Sequence, residues 1–162
     1  MGRVERLFLP EKARAEAVEK TSWAKDLSWN ELVAFVKWTE PFHAAPPATI
    51  FNEGERDGSL YLLLSGRVSV QKADRAGVVR SLQQITAGKT FGEMALIDGE
   101  TRSASVVVAE EATWLVMSKP NFDRMVEETP RLGLKVVQRI ARLLSQRLRQ
   151  TSATLADALD GD

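Results

Sequence analysis

One short stretch of the chain, residues 91–105 ("FGEMALIDGETRSAS"), gathers around a single turn the residue types that bind an anion. Gly92 permits backbone angles and a close approach that a side chain would forbid. The following "EMAL" is a potential helical turn, whose free N–H groups favour an anion. Arg102 carries a planar set of donors that matches two oxygens of a phosphate, and the small neighbours Ser103 and Ala104 leave their backbone N–H groups accessible. The pattern is typical of a phosphate-binding turn.

Glu93 brings a different chemistry to the same turn, because a carboxylate only accepts hydrogen bonds. It requires donors, and the hydroxyl group of a ribose is one. An acid beside an arginine therefore suits a ligand with one phosphate charge and one sugar hydroxyl. The alternative is a Glu93–Arg102 ion pair that closes a loop, but such a pair does not account for the glycine and the small residues around it.

The composition excludes several classes of function. The 162 residues include 22 basic and 22 acidic ones, so the net charge gives no attraction to nucleic acid or to an anionic membrane. There is no Cys, which excludes disulfides, thiolate metal sites and a cysteine nucleophile. The single His43 leaves no histidine cluster for zinc and disfavours a Ser-His-Asp arrangement. The longest apolar runs are too short to span a bilayer, and residues 1–20 lack the apolar core of a signal peptide. We therefore expect a soluble, cytoplasmic protein that binds no metal and no membrane.

The elements that must position the turn follow from three successive patterns. Residues 10–39 have a helical pattern, with a capping box at Ser28 and Glu31. Residues 41–117 contain short apolar runs separated by turn residues, which predicts about eight short strands in a small sandwich or barrel of the jelly-roll type. Ser118 can cap a further helix. The predicted fold is α+β, a single domain with an N-terminal helical segment (1–39), a jelly-roll core (40–118) and C-terminal helices (119–162).

The last predicted helix opens at Thr129, as cap, and Pro130, as first helical residue. A second apolar row, at Val136, Ile140 and Leu143, can pack on the helix's own domain. An apolar seam follows the heptad spacing, which favours a homodimer through parallel C-terminal helices, with both faces being internal core as the alternative. The seam consists of Leu134, Val137, Ala141, Leu144, Leu148, Thr151, Leu155 and Ala158.

The segment "FGEMAL…TRSA" resembles the phosphate-binding cassette of the cyclic nucleotide-binding domain family. "EGERDGSLYLLLSGRVSV" resembles the first hairpin of that family, and "RLRQTS" resembles the stretch of the last helix that contacts the adenine. The resemblance covers about residues 40–159. It is greatest to the ligand-binding domain and dimer helix of the bacterial catabolite activator (Crp/Fnr) type.

This resemblance implies a cyclic nucleotide ligand, with cAMP preferred and cGMP possible. It implies that the cyclic phosphate binds at Gly92, Arg102, Ser103 and Ala104, and that Glu93 accepts from the ribose 2′-OH. It also implies a wall for sugar and base, in which Ser152 comes from the other subunit and Gln83 replaces a hydroxyl residue of the activator. The wall residues are Val70, Gln83, Ile85, Met94, Arg147, Thr151 and Ser152.

Two further interpretations stay open for the last helix. A polar residue within a heptad seam, such as Thr151, often serves only to set the register of the dimer. Six basic residues between Arg131 and Arg149 either contact nucleic acid or form a solvated face, and the pattern favours the solvated face.

The resemblance implies a sensor in which the ligand shifts the packing of the C-terminal helices of a homodimer, with an unidentified protein as effector. An enzyme is disfavoured, because neither a histidine cluster nor paired carboxylates stand in a motif. The alternatives are a dimerisation scaffold that has lost its ligand and a truncated relative of a Crp/Fnr transcription regulator. Those regulators continue into a helix-turn-helix domain, and since the sequence stops shortly after Leu159, no DNA partner is expected.

Overall fold

Residues 2–161 are described by a computed structural model and contain seven β-strands and five α-helices. The strands are β1 (Glu5–Arg6), β2 (Glu40–Ala44), β3 (Thr49–Phe51), β4 (Leu60–Ala73), β5 (Val79–Thr86), β6 (Thr90–Phe91) and β7 (Ser105–Met117). The helices are α1 (Glu11–Glu19), α2 (Trp29–Val36), α3 (Glu93–Asp98), α4 (Lys119–Glu128) and α5 (Pro130–Asp160), with a 3-10 helix at Ser22–Asp26. The α+β class is confirmed. The chain divides into two compact units, one up to Arg124 and the other from Met125.

The strands form one antiparallel sheet in the order β1-β2-β7-β4-β5, with β3 paired to β7 and β6 paired to β4. The predicted count of about eight short strands is wrong for residues 2–161, because β4 and β7 are long strands of 14 and 13 residues. The runs "LYLLLSG" and "RVSVQ", predicted as two strands, are consecutive parts of β4 and are joined through register shifts. Gly66 lies at the junction with φ of 81°, where a Cβ atom would be 2.1 Å from the carbonyl oxygen of Glu111.

The core of the first unit is built from the inward-facing side chains of these strands. Leu63, Val68 and Trp114 are at most 1% exposed, and Phe91 and Val106 are 2% exposed. The alternation of buried and exposed residues that a strand pleat imposes holds along most of β7. The sheet therefore fixes both the hairpin β4–β5 and the turn after β6, where the candidate site lies.

The N-terminal helices confirm the predicted pattern, including the capping box. Glu31 N–H donates to Ser28 Oγ at 3.2 Å, and Ser28 N–H donates to Glu31 Oε1 at 3.1 Å. Pro10 is the residue before α1 rather than its first helical residue. The short strand β1, which pairs with β2, was not expected within the predicted helical segment 1–39, since two exposed charged residues give no strand pattern.

The second unit is dominated by α5, a helix of 31 residues with Pro130 in its first turn. Thr129 precedes the helix but makes no side-chain cap, contrary to the sequence prediction. Its hydroxyl donates to the carbonyl oxygen of Met125 at 2.8 Å. Val136 and Ile140 of the second apolar row are at most 1% exposed. The seam residues with the largest exposed apolar side chains are Leu134, Val137, Leu148 and Leu155.

Residues 2–161 contain neither a membrane-spanning helix nor a cluster of metal-binding side chains. None of the helices there combines the length and the apolar character needed to cross a membrane. Within the same residues, the acids and His43 form no group of three or more that could hold a metal ion.

Candidate functional site

The turn between β6 and α3 requires a glycine for two independent reasons. Gly92 has a left-handed backbone, with φ of 76° and ψ of 6°, and directly precedes the first residue of α3. A Cβ atom there would lie 2.7 Å from Arg102 Nη1, 3.0 Å from Tyr61 Cδ2 and 3.1 Å from the carbonyl oxygen of Ser59. Both the conformation and the close approach that the sequence suggested are therefore present, and α3 is the predicted short helix.

Arg102 is only 3% exposed, although it carries a full charge. Its Nη1 donates to the carbonyl oxygen of Gly92 at 2.7 Å, which joins the two halves of the predicted cassette. Its Nη2 donates to the carbonyl oxygen of Ser59 at 2.9 Å and to Asp57 Oδ2 at 3.0 Å. Three of the five N–H donors of the guanidinium therefore serve these contacts.

The guanidinium also lies on an aromatic surface. Arg102 Cζ is 4.1 Å from the ring centroid of Phe51 and 5.4 Å from that of Tyr61. Tyr61 in turn stacks on Phe91, with ring centroids 5.0 Å apart. The Nε atom of Arg102 is buried and has no hydrogen-bond partner among the described residues. A buried donor of this kind costs free energy unless an acceptor reaches it, so the site suits an anion.

Asp57 is a site residue that the sequence reasoning missed. Its Oδ1 accepts from Ser59 N–H at 3.0 Å, and its Oδ2 accepts from Tyr61 Oη at 2.6 Å as well as from Arg102. Burial alone would raise the pKa of Asp57, but the hydrogen bonds from Tyr61, Ser59 and Arg102 outweigh it and hold the pKa at about 2. Burial and the neighbouring Asp57 carboxylate raise the pKa of Tyr61. Asp57 is therefore ionised at neutral pH and forms the ion pair of Arg102.

No sequence signal marked this aspartate, because it stands 45 positions before its arginine. Within the turn "EGERDGSLY" it looked like one more polar turn residue. The alternative weighed from the sequence was a Glu93–Arg102 pair. Glu93 is the first residue of α3 and is 1% exposed, so the predicted ribose acceptor is a buried carboxylate.

The remaining predicted phosphate and wall residues of the first unit lie near this turn to different degrees. Ser103 is exposed and Ala104 is 9% exposed, directly after Arg102. Val70 on β4 is half-buried and pairs with Gln83 on β5, which is exposed. Ile85 is 1% exposed and Met94 is 52% exposed.

The predicted wall residues Arg147, Thr151 and Ser152 belong to α5 in the second unit. The Thr151 hydroxyl donates to the carbonyl oxygen of Arg147 at 2.9 Å, a bond within the helix. Thr151 and Ser152 are both exposed, and burial lowers the pKa of Arg147. A contact of these residues with a base stays a prediction.

The geometry defines a class of domain, an antiparallel β domain with a buried arginine beside a glycine-initiated short helix. The particular family follows from sequence comparison. Residues 41–129 of the 162 match the model of the family described as Cyclic nucleotide-binding domain. The chain belongs to this family, and the resemblance noted in the sequence is confirmed.

Individual relatives support the same assignment. The Cyclic AMP receptor protein of Thermus thermophilus is 33% identical over 106 residues, which are 65% of this chain and 47% of that protein. Cyclic GMP-binding protein C of Dictyostelium discoideum is 33% identical over 62% of this chain and 4% of its own length. The crystal structure of a cyclic nucleotide-binding domain from Methylobacillus flagellatus superposes with a TM-score of 0.84 at 27% identity, covering 96% of this chain and 89% of that one. The chain spans about half the length of the Crp-like relatives that it matches.

Proposed function

We propose that this chain is a regulatory module that binds a cyclic nucleotide, with cAMP preferred over cGMP, and that it is not an enzyme. The observation that carries the proposal is Arg102, a 3% exposed guanidinium joined to the Gly92 carbonyl at 2.7 Å. The buried Nε–H of Arg102 has no hydrogen-bond partner among the described residues, and an anionic ligand would supply the acceptor that it lacks. The family membership favours the cyclic phosphate as that anion.

The residues around Arg102 fit such a ligand chemically. The buried Nε–H of Arg102 and the hydroxyl of exposed Ser103 are donors that suit phosphate oxygens. The buried Glu93 carboxylate suits a ribose hydroxyl, which donates. Glu93 starts the helix that Gly92 precedes, so the acceptor proposed for the ribose directly follows the glycine proposed to lie against the phosphate. The names of two relatives, a cyclic AMP receptor and a cyclic GMP-binding protein, favour cyclic purine nucleotides as a class.

A change in the packing of α5 within a homodimer is the proposed output. Leu134, Leu148 and Leu155 are 58%, 68% and 59% exposed, and all three belong to the heptad seam. Exposed leucines at this spacing favour a second copy of the same helix as their partner. The downstream effector, which we expect to be a protein, and the cytoplasmic location stay predictions.

The test of the binding function is titration calorimetry of the wild type with cAMP, cGMP and linear 5′-AMP. We expect cAMP to bind more tightly than cGMP, and 5′-AMP to bind weakly. Arg102→Lys keeps the charge but not the planar donors, and Glu93→Gln keeps the shape but not the acceptor charge. Each substitution should weaken cAMP binding at least about tenfold, the order of one lost charge-assisted hydrogen bond. Arg6→Lys, at a side chain that is 67% exposed, is the matched control.

The alternatives predict different results. A scaffold that has lost its ligand is favoured by one observation, namely that Asp57 already provides a counter-ion for Arg102. It predicts no heat and no thermal shift with millimolar cyclic nucleotide, while the dimer persists. A truncated relative of a Crp/Fnr regulator predicts binding with the same variants affected. Binding that survives Arg102→Lys and Glu93→Gln unchanged would contradict the site proposed above.

A further inference from the structure

Lys72 is a cation at the edge of the candidate site that neither the sequence patterns nor the family resemblance singled out. It follows Val68 and Val70 at alternate positions of β4, and Val68 belongs to the core while Val70 packs against it. Its ammonium donates to the carbonyl oxygen of Ser103 at 2.8 Å. Ser103 is one of the predicted phosphate-binding residues, so this ammonium contacts the segment that the prediction assigns to the phosphate.

Asp57 offsets the positive charge that Arg102 presents to an anionic ligand, although the N–H donors of Arg102 remain. Arg102 Nη2 is 3.0 Å from Asp57 Oδ2, and the two side chains are 2% and 33% exposed. Because the pKa of Asp57 lies near 2, this pair is close to neutral as a unit at pH 7. A cyclic phosphate carries one negative charge, which the pair does not balance.

Lys72 is held less tightly than Arg102. It also forms an ion pair with Glu53, at 3.5 Å, in which the side chains of Lys72 and Glu53 are 47% and 39% exposed. Such exposed pairs contribute little, so the ammonium can exchange Glu53 for a phosphate oxygen at small cost. An ammonium also has three N–H donors, of which these two contacts use two.

Hydrogen bonds hold the loop before β4 beside the segment after α3, and Lys72 contacts a residue of each. Gly54 N–H donates to the carbonyl oxygen of Arg102 at 2.8 Å, and Arg102 N–H donates to that of Glu55 at 2.9 Å. Glu53 N–H donates to Ser105 Oγ at 2.8 Å. The loop before β4 is thereby tied to the segment after the cassette helix, and Lys72 spans between the two.

We propose that Lys72 is a specificity-determining residue that adds a positive charge for the cyclic phosphate to the N–H donors of Arg102, whose own charge Asp57 offsets. The inference rests on the proposed cyclic nucleotide binding and adds to it a residue that selects ligands by their charge. Lys72→Gln should weaken cAMP binding about tenfold, the order expected for one unit charge a few ångströms away at the edge of a site. It should also make the affinity less dependent on salt, since one screened attraction is lost.

The experiment is calorimetry of wild type, Lys72→Gln, Lys72→Arg and Lys25→Gln with cAMP at low and high salt. A second ligand, the neutral methyl ester of the cAMP phosphate, separates charge from position. Thermal unfolding checks that each variant is folded. We expect Lys72→Arg to bind nearly as the wild type does, and Lys25→Gln, an equal charge change on the 3-10 helix, to have no effect.

Each outcome bears on the proposal. A tenfold loss for cAMP that disappears with the neutral ester supports it. An equal loss of affinity for cAMP and for the neutral ester would mean that Lys72 only positions Ser103. An unchanged affinity for cAMP would mean that Lys72 has no role in binding. Either result overturns the inference about Lys72 and leaves the proposed cyclic nucleotide binding intact. If the wild type binds neither cAMP nor cGMP, both proposals fall together.

Discussion

The ion pair between Asp57 and Arg102 makes a sharp prediction for the stability of the fold. Asp57→Asn keeps the side-chain shape and removes the charge that faces a guanidinium only 2% exposed. The pKa of Asp57 is lowered from 3.8 to about 2, and one pKa unit corresponds to about 1.4 kcal/mol. If the whole pKa shift contributed, ionised Asp57 would stabilise the folded state by about 2.5 kcal/mol. Since the Asp57 side chain is 33% exposed, we expect Asp57→Asn to lower the free energy of unfolding by about 1–2 kcal/mol at pH 7.

The sign of the pH dependence follows from the direction of the shift. The folded-state pKa of Asp57 lies below its unfolded value, so the unfolded chain binds more protons between the two values. The stabilisation is complete above the unfolded pKa and is lost as the pH falls towards 2, with about half of it gone near pH 3. The difference in stability between wild type and Asp57→Asn should therefore shrink over the same range.

The assay is urea unfolding of both proteins at pH 7, 5, 4 and 3. Asp123→Asn is the control, because Asp123 is 52% exposed in an i,i+4 pair with Lys119 and should change stability by less than about 0.5 kcal/mol. Titration of the Asp57 carboxyl carbon by NMR gives the pKa directly. A difference that is constant from pH 7 to pH 3, or a measured pKa near 3.8, would refute the electrostatic reasoning.

Three further predictions concern the scaffold. Gly66→Ala should lower the free energy of unfolding by at least about 3 kcal/mol, because its Cβ would be 2.1 Å from the carbonyl oxygen of Glu111. Gly77→Ala, with the same φ of 81° but no atom within 4 Å of the added Cβ, should lower it by about 1–2 kcal/mol. Thermal unfolding of both variants measures the difference. Equal losses would show that φ alone matters. Ser28→Ala should lose about 1 kcal/mol in urea unfolding through the capping box, without changing cAMP affinity. Leu148→Glu should convert a dimer to a monomer in light scattering, because Leu148 is a 68% exposed seam residue, and a monomeric wild type at high concentration would count against the seam.

The sequence predicted well what depends on short spacing. The capping box at Ser28, the helix after Gly92 and the long α5 from Pro130 all involve residues a few positions apart, whose types alone favour the observed conformation. The approach of Arg102 to Gly92 was also accessible, since the two are only ten positions apart, on either side of α3. Of these features, the helix after Gly92 and the approach of Arg102 belong to the candidate site.

What the sequence did not predict depends on distant packing. Strand β4 continues past Gly66 because β7 offers partners on both sides of the register shift, a fact that no local pattern contains. Asp57 reaches Arg102 only because the sheet brings the loop before β4 beside the segment after α3. Thr129 donates to Met125 rather than capping α5, a choice between two local hydrogen bonds that residue type does not decide.

The length of α5 has a mechanical consequence. From Ile140, its last fully buried residue, to Asp160 the helix extends for about 30 Å. No proline interrupts this part, so it acts as a stiff lever. A tilt of about 5° at the buried end displaces the far end by about 2.6 Å, which is half a helical turn. A small movement at the buried end of the helix is thereby amplified along its length.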